Sequence, residues 1–295
     1  MMRRTALTLI LSSVLSSLLA GCAAESVDLD ETDSNAEAVG AFTLVTTGIA
    51  AKPAATLPAA RLAASAFAES AIAARLMRST ETFETVGRVG ARDVRESTTW
   101  HLERDAATGQ ALFVRRVDPG APVALTDAQL QAAATQRLAE WGLPSSEILR
   151  TLQRRAMRQS EENNVRGAAT VHRYKTFVLR GFNGVAVEGH RAVVTHSPDG
   201  AVHRALVRWP ALAASGHLLR TTLTTAQISQ RAITALTAAG ETSGRAVLRW
   251  KYVPALNAAG EAVLTLRVGA RMPPVAGSEA TEEPREIDVD VSATP

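Results

Sequence analysis

At 295 residues, 46% of them hydrophobic, 21% charged and 4% aromatic, the chain has the composition of an ordinary globular protein. That excludes a wholly disordered, collagen-like or polytopic membrane class, and the length allows one large domain or two small ones. A single cysteine excludes a disulfide framework and a cysteine-based zinc site.

Residues 1–22 form a secretory signal. Arg3 and Arg4 make a basic start, and an apolar, serine-containing run follows that is too short for a comfortable membrane span. The segment ends in Leu19-Ala20-Gly21-Cys22 and resembles the bacterial lipoprotein signal, in which a small-residue cleavage site directly precedes a cysteine that is lipidated. The resemblance implies lipidation of Cys22. With Ala23 rather than Asp after the cysteine, it implies sorting to the outer membrane of a Gram-negative cell envelope. The flanks of Arg3-Arg4 fit a twin-arginine signal poorly, which favours the general secretory route.

The formal charge is +3, and loss of Arg3 and Arg4 brings it to +1. Lysine occurs only at Lys52, Lys175 and Lys251. No basic cluster is interleaved with aromatics and the chain is exported, so nucleic acid is not an expected partner. Residues 23–40 carry Glu25, Asp28, Asp30, Glu31, Asp33 and Glu37 without a basic residue and read as a solvated tether. The body is net basic between this tether and an acidic tail at 272–295.

Within the body, Leu57 to Arg78 is alanine-rich with Leu62, Phe67, Ile72 and Leu76 near helical intervals, which predicts a helix. Residues 98–104 and 110–117 flank a glycine-containing turn and predict a hairpin, completing an N-terminal region at 41–123. Leu125-Thr-Asp-Ala-Gln-Leu130 and Leu223-Thr-Thr-Ala-Gln-Ile228 are near-repeats. Each places threonine at an N-cap with glutamine three residues on, predicting capped helices that stop at Gly142 and Gly240. Residues 147–158 fit either a strand or a helix. Beyond them, Val171–Arg180, Arg191–Thr195 and Ala201–Trp209 form a predicted meander, joined by Asn183-Gly184 and Pro198-Asp-Gly200 turns. After the second helix come predicted strands at 245–253 and 262–268, and a final edge strand at 285–291. The expected class is α+β, with one helix packed on an antiparallel sheet in each repeat.

Tyr174 to Gly189, followed by Ala192-Val-Val-Thr195 and Asp199-Gly-Ala-Val202, resembles the propeptide segment of thermolysin-like metallopeptidases. Leu223 to Val268 is similar to the PepSY module that completes such propeptides. The resemblance spans roughly residues 124–268. It implies tandem cystatin-like or PepSY-like modules at 124–212 and 213–271, and a role as inhibitor or chaperone of a peptidase. No peptidase domain follows, and the chain has no His-Glu-x-x-His motif.

No nucleophile elbow, Walker loop or dinucleotide fingerprint occurs, so the chain reads as a non-enzyme without a cofactor. His190, His196 and His203 are the best constellation for a metal. However, His190 and His196 lie about 20 Å apart along one strand, so they read as solvated residues on an open sheet face. His101, His172 and the pair Glu161-Glu162 read as surface residues, and the four tryptophans as core. The expected function is binding of a protein partner, a secreted peptidase or another envelope protein, through an open sheet face or edge. Asn183, Gly184, Val185, Val187, Val193 and Thr195, with a possible edge at 262–268, are the expected contact residues. The alternative is a carrier holding an apolar small molecule between helix and sheet; a hydrolase ranks third.

Overall fold

The computed structural model describes residues 36–53, 58–63, 81–105, 108–162, 165–273 and 285–291. The expected signal with Cys22, and the expected tether up to residue 35, lie outside these residues; the end of that tether, Ala36–Val39, is a strand paired with Phe42–Val45. Among the described residues no helix is long and apolar enough to cross a membrane.

The elements in chain order are β1 (Ala36–Val39), β2 (Phe42–Val45), α1 (Thr47–Ala50), β3 (Pro58–Ala63), β4 (Glu84–Val89), β5 (Arg92–Glu96), β6 (Trp100–Asp105) and β7 (Gln110–Arg115). Then come α2 (Asp127–Glu140), β8 (Ile148–Arg158), β9 (Glu161–Glu162), β10 (Val165–Arg166), β11 (Thr170–Phe182), β12 (Val185–His196), β13 (Val202–Arg208) and β14 (Ala211–Leu218). The chain ends with α3 (Thr225–Ala238), β15 (Gly244–Leu256), β16 (Ala262–Met272) and β17 (Arg285–Asp290). The expected helix over 57–78 is corrected at its start, where 58–63 is strand paired to β14 and β16; the rest of it lies outside the described residues.

Two compact units divide the chain. One comprises Met1–Ala50, Thr224–Arg249 and Gly269–Val289, the other Ala51–Leu223, Trp250–Val268 and Asp290–Pro295. In the first unit, β2 runs parallel to the first half of β15, in register from Gly244 opposite Phe42 to Val247 opposite Val45. Leu44, Ile49, Ile228, Ala232, Leu236 and Leu248 are buried there. Gly48 permits a close approach, since a Cβ on it would stand 2.6 Å from the Leu248 carbonyl oxygen.

In the second unit the strands follow the order β14-β3-β16-β15-β12-β13-β7-β6-β5-β4, and β11 pairs with β12 and with β8. The long strand β12 is a fork. Ala186 and Val187 pair in parallel with Lys251 and Tyr252 of β15, whereas Arg191 to His196 pair antiparallel with β13. Helix α2 lies against β8 and β11. Leu138 and Trp141 at its C-terminal end are buried with Trp100, Leu102, Phe113, Val178, Val194, Val207 and Trp209 in one core.

The expected class, tandem modules each with its own helix on its own antiparallel sheet, is not what forms. The protein is mostly β and the sheet is mixed. Strands of 11 to 13 residues reach further than a 14-residue helix can cover, and the second half of β15 pairs with β12 instead of closing a separate sheet. The local signals nevertheless act as written. Thr126 and Thr224 accept from the backbone N–H groups of Gln129 and Gln227, whose side chains accept in return from the N-cap backbone. Each helix ends in a Schellman motif: Leu143 N–H donates to the Leu138 carbonyl and Glu241 N–H to that of Leu236. Gly142 and Gly240 take the positive φ that this ending requires.

Candidate protein-binding edge and the cluster that anchors it

The segment that fits two periodicities, 147–158, is the strand β8. Leu152, Thr151 and Gln153 stand opposite Phe177, Val178 and Thr176 of β11. Among the described residues β8 pairs with β11 alone, so its other side is an open edge. Alternation divides its side chains between two faces. Thr151, Gln153 and Arg155 face the side covered by α2: Thr151 is opposite core Val178, the Thr176 hydroxyl bonds Gln153 at 2.6 Å, and Arg155 reaches Asp127 in the first turn of α2 at 3.0 Å. Arg150, Leu152, Arg154, Ala156 and Arg158 fall on the opposite face.

The start of this edge is held by a buried ionic cluster. Glu147, in the 3-10 turn Ser145–Glu147 just before β8, receives Arg180 Nη2 at 2.7 Å, Arg180 Nε at 2.9 Å and the Trp209 indole N–H at 2.8 Å. Arg180 is 1% exposed. Its Nη1 donates to the Pro210 carbonyl at 2.6 Å and to His190 Nδ1 at 3.2 Å. The guanidinium lies 5.3 Å from the Trp209 ring and 5.4 Å from the Phe182 ring, close enough for cation–π attraction. A buried charge tolerates such a place only when ion-paired and hydrogen-bonded on all sides. The cluster contains no nucleophile, and because His190 accepts from Arg180 it is neutral at Nδ1 with its proton on Nε2. Burial, followed by the nearby Arg180 and Arg208 charges, pushes its pKa down to about 3.

His196 is also buried, and burial followed by Arg137 lowers it to about 4. Half-buried His203 is lowered to about 4 by desolvation and surrounding cations. The expectation of solvated histidines is therefore corrected for His190 and His196. Both share the parity of Ala192 and Val194 in the core, so alternation along β12 sets them on the covered face of the sheet and not on the open one. The ladder with β11 bulges only toward the start of β12, where two steps along β11 from Leu179 to Gly181 match five along β12 from Arg191 to Ala186. Gly189, with φ +70°, lies in that bulge. No group of three metal-ligating side chains occurs among the described residues.

The expected contact residues divide. Asn183 and Gly184, with φ 48° and 78°, form the exposed turn between β11 and β12. Val185, Val187 and Thr195 are buried, and Val193 is half-buried. Because β12 is paired on both sides, it offers no backbone edge. Residues 262–268 belong to β16, which stands between β15 and β3 in the strand order and is likewise not an edge. Sequence reasoning missed the Arg180, Glu147 and Trp209 cluster, whose members lie 33 and 62 positions apart. The one local signal was arginine ending the apolar run before Gly181.

No family model and no curated protein matches the chain. Among solved structures, it is similar to an uncharacterized protein from Eubacterium rectale, with TM-score 0.47 and 8% identity over 79% of this chain and 82% of that one. It is also similar to the Bacillus megaterium YpeB C-terminal domain, with TM-score 0.33 and 12% identity over 75% of this chain and 96% of that one. Neither score is high enough for a shared fold to follow.

Proposed function

We propose that the protein is a non-catalytic lipoprotein of the cell envelope, held at the outer membrane through Cys22, that binds a protein partner by strand addition. An inhibitor or chaperone role toward a secreted peptidase is the form suggested by the thermolysin-type propeptide resemblance. The single observation that carries the binding reading is β8, an 11-residue strand without proline or glycine whose outer side has no strand partner among the described residues. Such an edge supplies the backbone donors and acceptors that an extended segment needs.

Site-specific photocrosslinking in intact envelopes tests this. A crosslinker at Arg154 or Met157 is expected to trap one partner protein through a defined extended segment, and a crosslinker at Val86 on β4 is not. Equal trapping from both strands, or none from β8, would overturn the reading.

A further inference from the structure

This inference rests on the β8 reading and assigns the partner's chemistry. On the face opposite α2, three cross-strand rows run away from the edge in register. The middle row is apolar: Leu152, Phe177, Val193, Leu206 and Leu112 on β8, β11, β12, β13 and β7. One flanking row is Arg150, Leu179, Arg191, Arg208 and Gln110. The other is Arg154, Lys175, Thr195, Arg204 and Val114. From β8 to β7 these rows contain six cations and no carboxylate; the acids Glu103 and Asp105 come only on β6. Arg150, Arg154 and Arg191 each have interactions within the chain, so the rows act as a summed positive field and not as free cations.

We infer that the β8 edge takes an extended acidic polypeptide segment in which carboxylates alternate with apolar side chains on one face. A strand added beside β8 sets its own side chains next to Arg150, Leu152, Arg154, Ala156 and Arg158. Opposite charges directly across a pair are favourable and like charges unfavourable. The complementary face of the partner therefore reads acid, apolar, acid, apolar, acid at every second residue. The position beside Leu152 continues the apolar row, and those beside Arg150 and Arg154 continue the basic rows. Pairing two β8 edges about Leu152 or Arg154 brings arginine directly against arginine, and the other registers still set two basic strands side by side, so the same rule disfavours a second copy of this chain as occupant.

The probe is a synthetic peptide in which threonine alternates with the series Glu-Val-Glu-Val-Glu, titrated against the soluble body by fluorescence anisotropy. Its controls are the same peptide with lysine for glutamate, a scramble that destroys the alternation, and a form N-methylated at alternate residues. The glutamate peptide is expected to bind, and the lysine peptide and the scramble to bind at least about tenfold more weakly. The N-methylated form is expected to lose binding because it cannot complete the backbone ladder. The variant R150E/R154E/R158E is expected to exchange the preference between the glutamate and lysine peptides. Retained affinity of the N-methylated peptide would overturn strand addition. Equal binding of the glutamate and lysine peptides, or of neither, would overturn the acidic assignment, while a partner crosslinked from β8 would then leave the edge reading standing on its own.

Discussion

β8 and β4 each pair on one side only among the described residues, yet they are built to different ends. β4 is six residues long, its pairing with β5 is interrupted between Thr85 and Gly87, and Val86 and Val89 stand more than half exposed. Shortness and an irregular ladder are common ways to blunt an edge. β8 is 11 residues long, pairs regularly with β11 from Arg150 to Arg155, and is fixed at its start by Glu147 in a buried ion pair. The comparison teaches that an edge suited to receiving a strand is made from behind, by what holds it straight. Its open side is then tuned by charge.

Acid should break this support first. An unfolded histidine titrates near 6.5, whereas His190 and His196 on β12 are held to about 3 and about 4. Between those values the unfolded chain binds protons that the folded chain refuses, so stability is full above pH 6.5 and falls as pH drops below it. The slope is about 1.4 kcal/mol per pH unit for each histidine, which amounts to several kcal/mol at pH 4. Urea midpoints at pH 7 and pH 5 check this; a His190→Gln, His196→Gln variant losing stability as steeply as the parent would refute it.

Next in size is Glu147→Ala, which leaves the Arg180 guanidinium buried without its carboxylate. Removing one partner of such a pair costs about 3–5 kcal/mol. Glu84→Ala on β4, an exposed residue, should stay within about 0.5 kcal/mol. Similar denaturation midpoints for the two variants would erase the distinction drawn between the edges.

The capping threonine of the helix behind β8 comes third. Thr126→Ala should cost about 1 kcal/mol, and Thr126→Asp, which restores a capping oxygen, should recover most of it. Loss of the exposed Arg155–Asp127 pair should be smaller still, with Arg155→Ala within about 0.5 kcal/mol; a larger loss would make that pair part of the support for β8.

What the sequence could reveal was local. Both capping boxes, both glycine stops and the turn at Asn183-Gly184 depend on residues a few positions apart, and each forms as read. Residues 147–158 stayed ambiguous because Ile148, Leu149 and Leu152 suit a helix as well as a strand, and their partner begins only at Thr170. The burial of His190 and His196 follows the parity of Ala192 and Val194, but which face of β12 is covered depends on where a distant helix packs, and alternation alone does not say that. The sheet fork and the Arg180 cluster depend on pairings between distant segments, for which no short spacing carries a signal. The helix-on-sheet expectation failed for that reason: the two capped helices and the strands after them were right, but the strands were shared.

Amide hydrogen exchange of the protein with and without the alternating glutamate peptide tests the central claim most directly. Strand addition predicts slowed exchange at the backbone amides of 148–158 and unchanged exchange at 84–89. Slowing at β4, or none at β8 when the peptide is bound, would contradict the account.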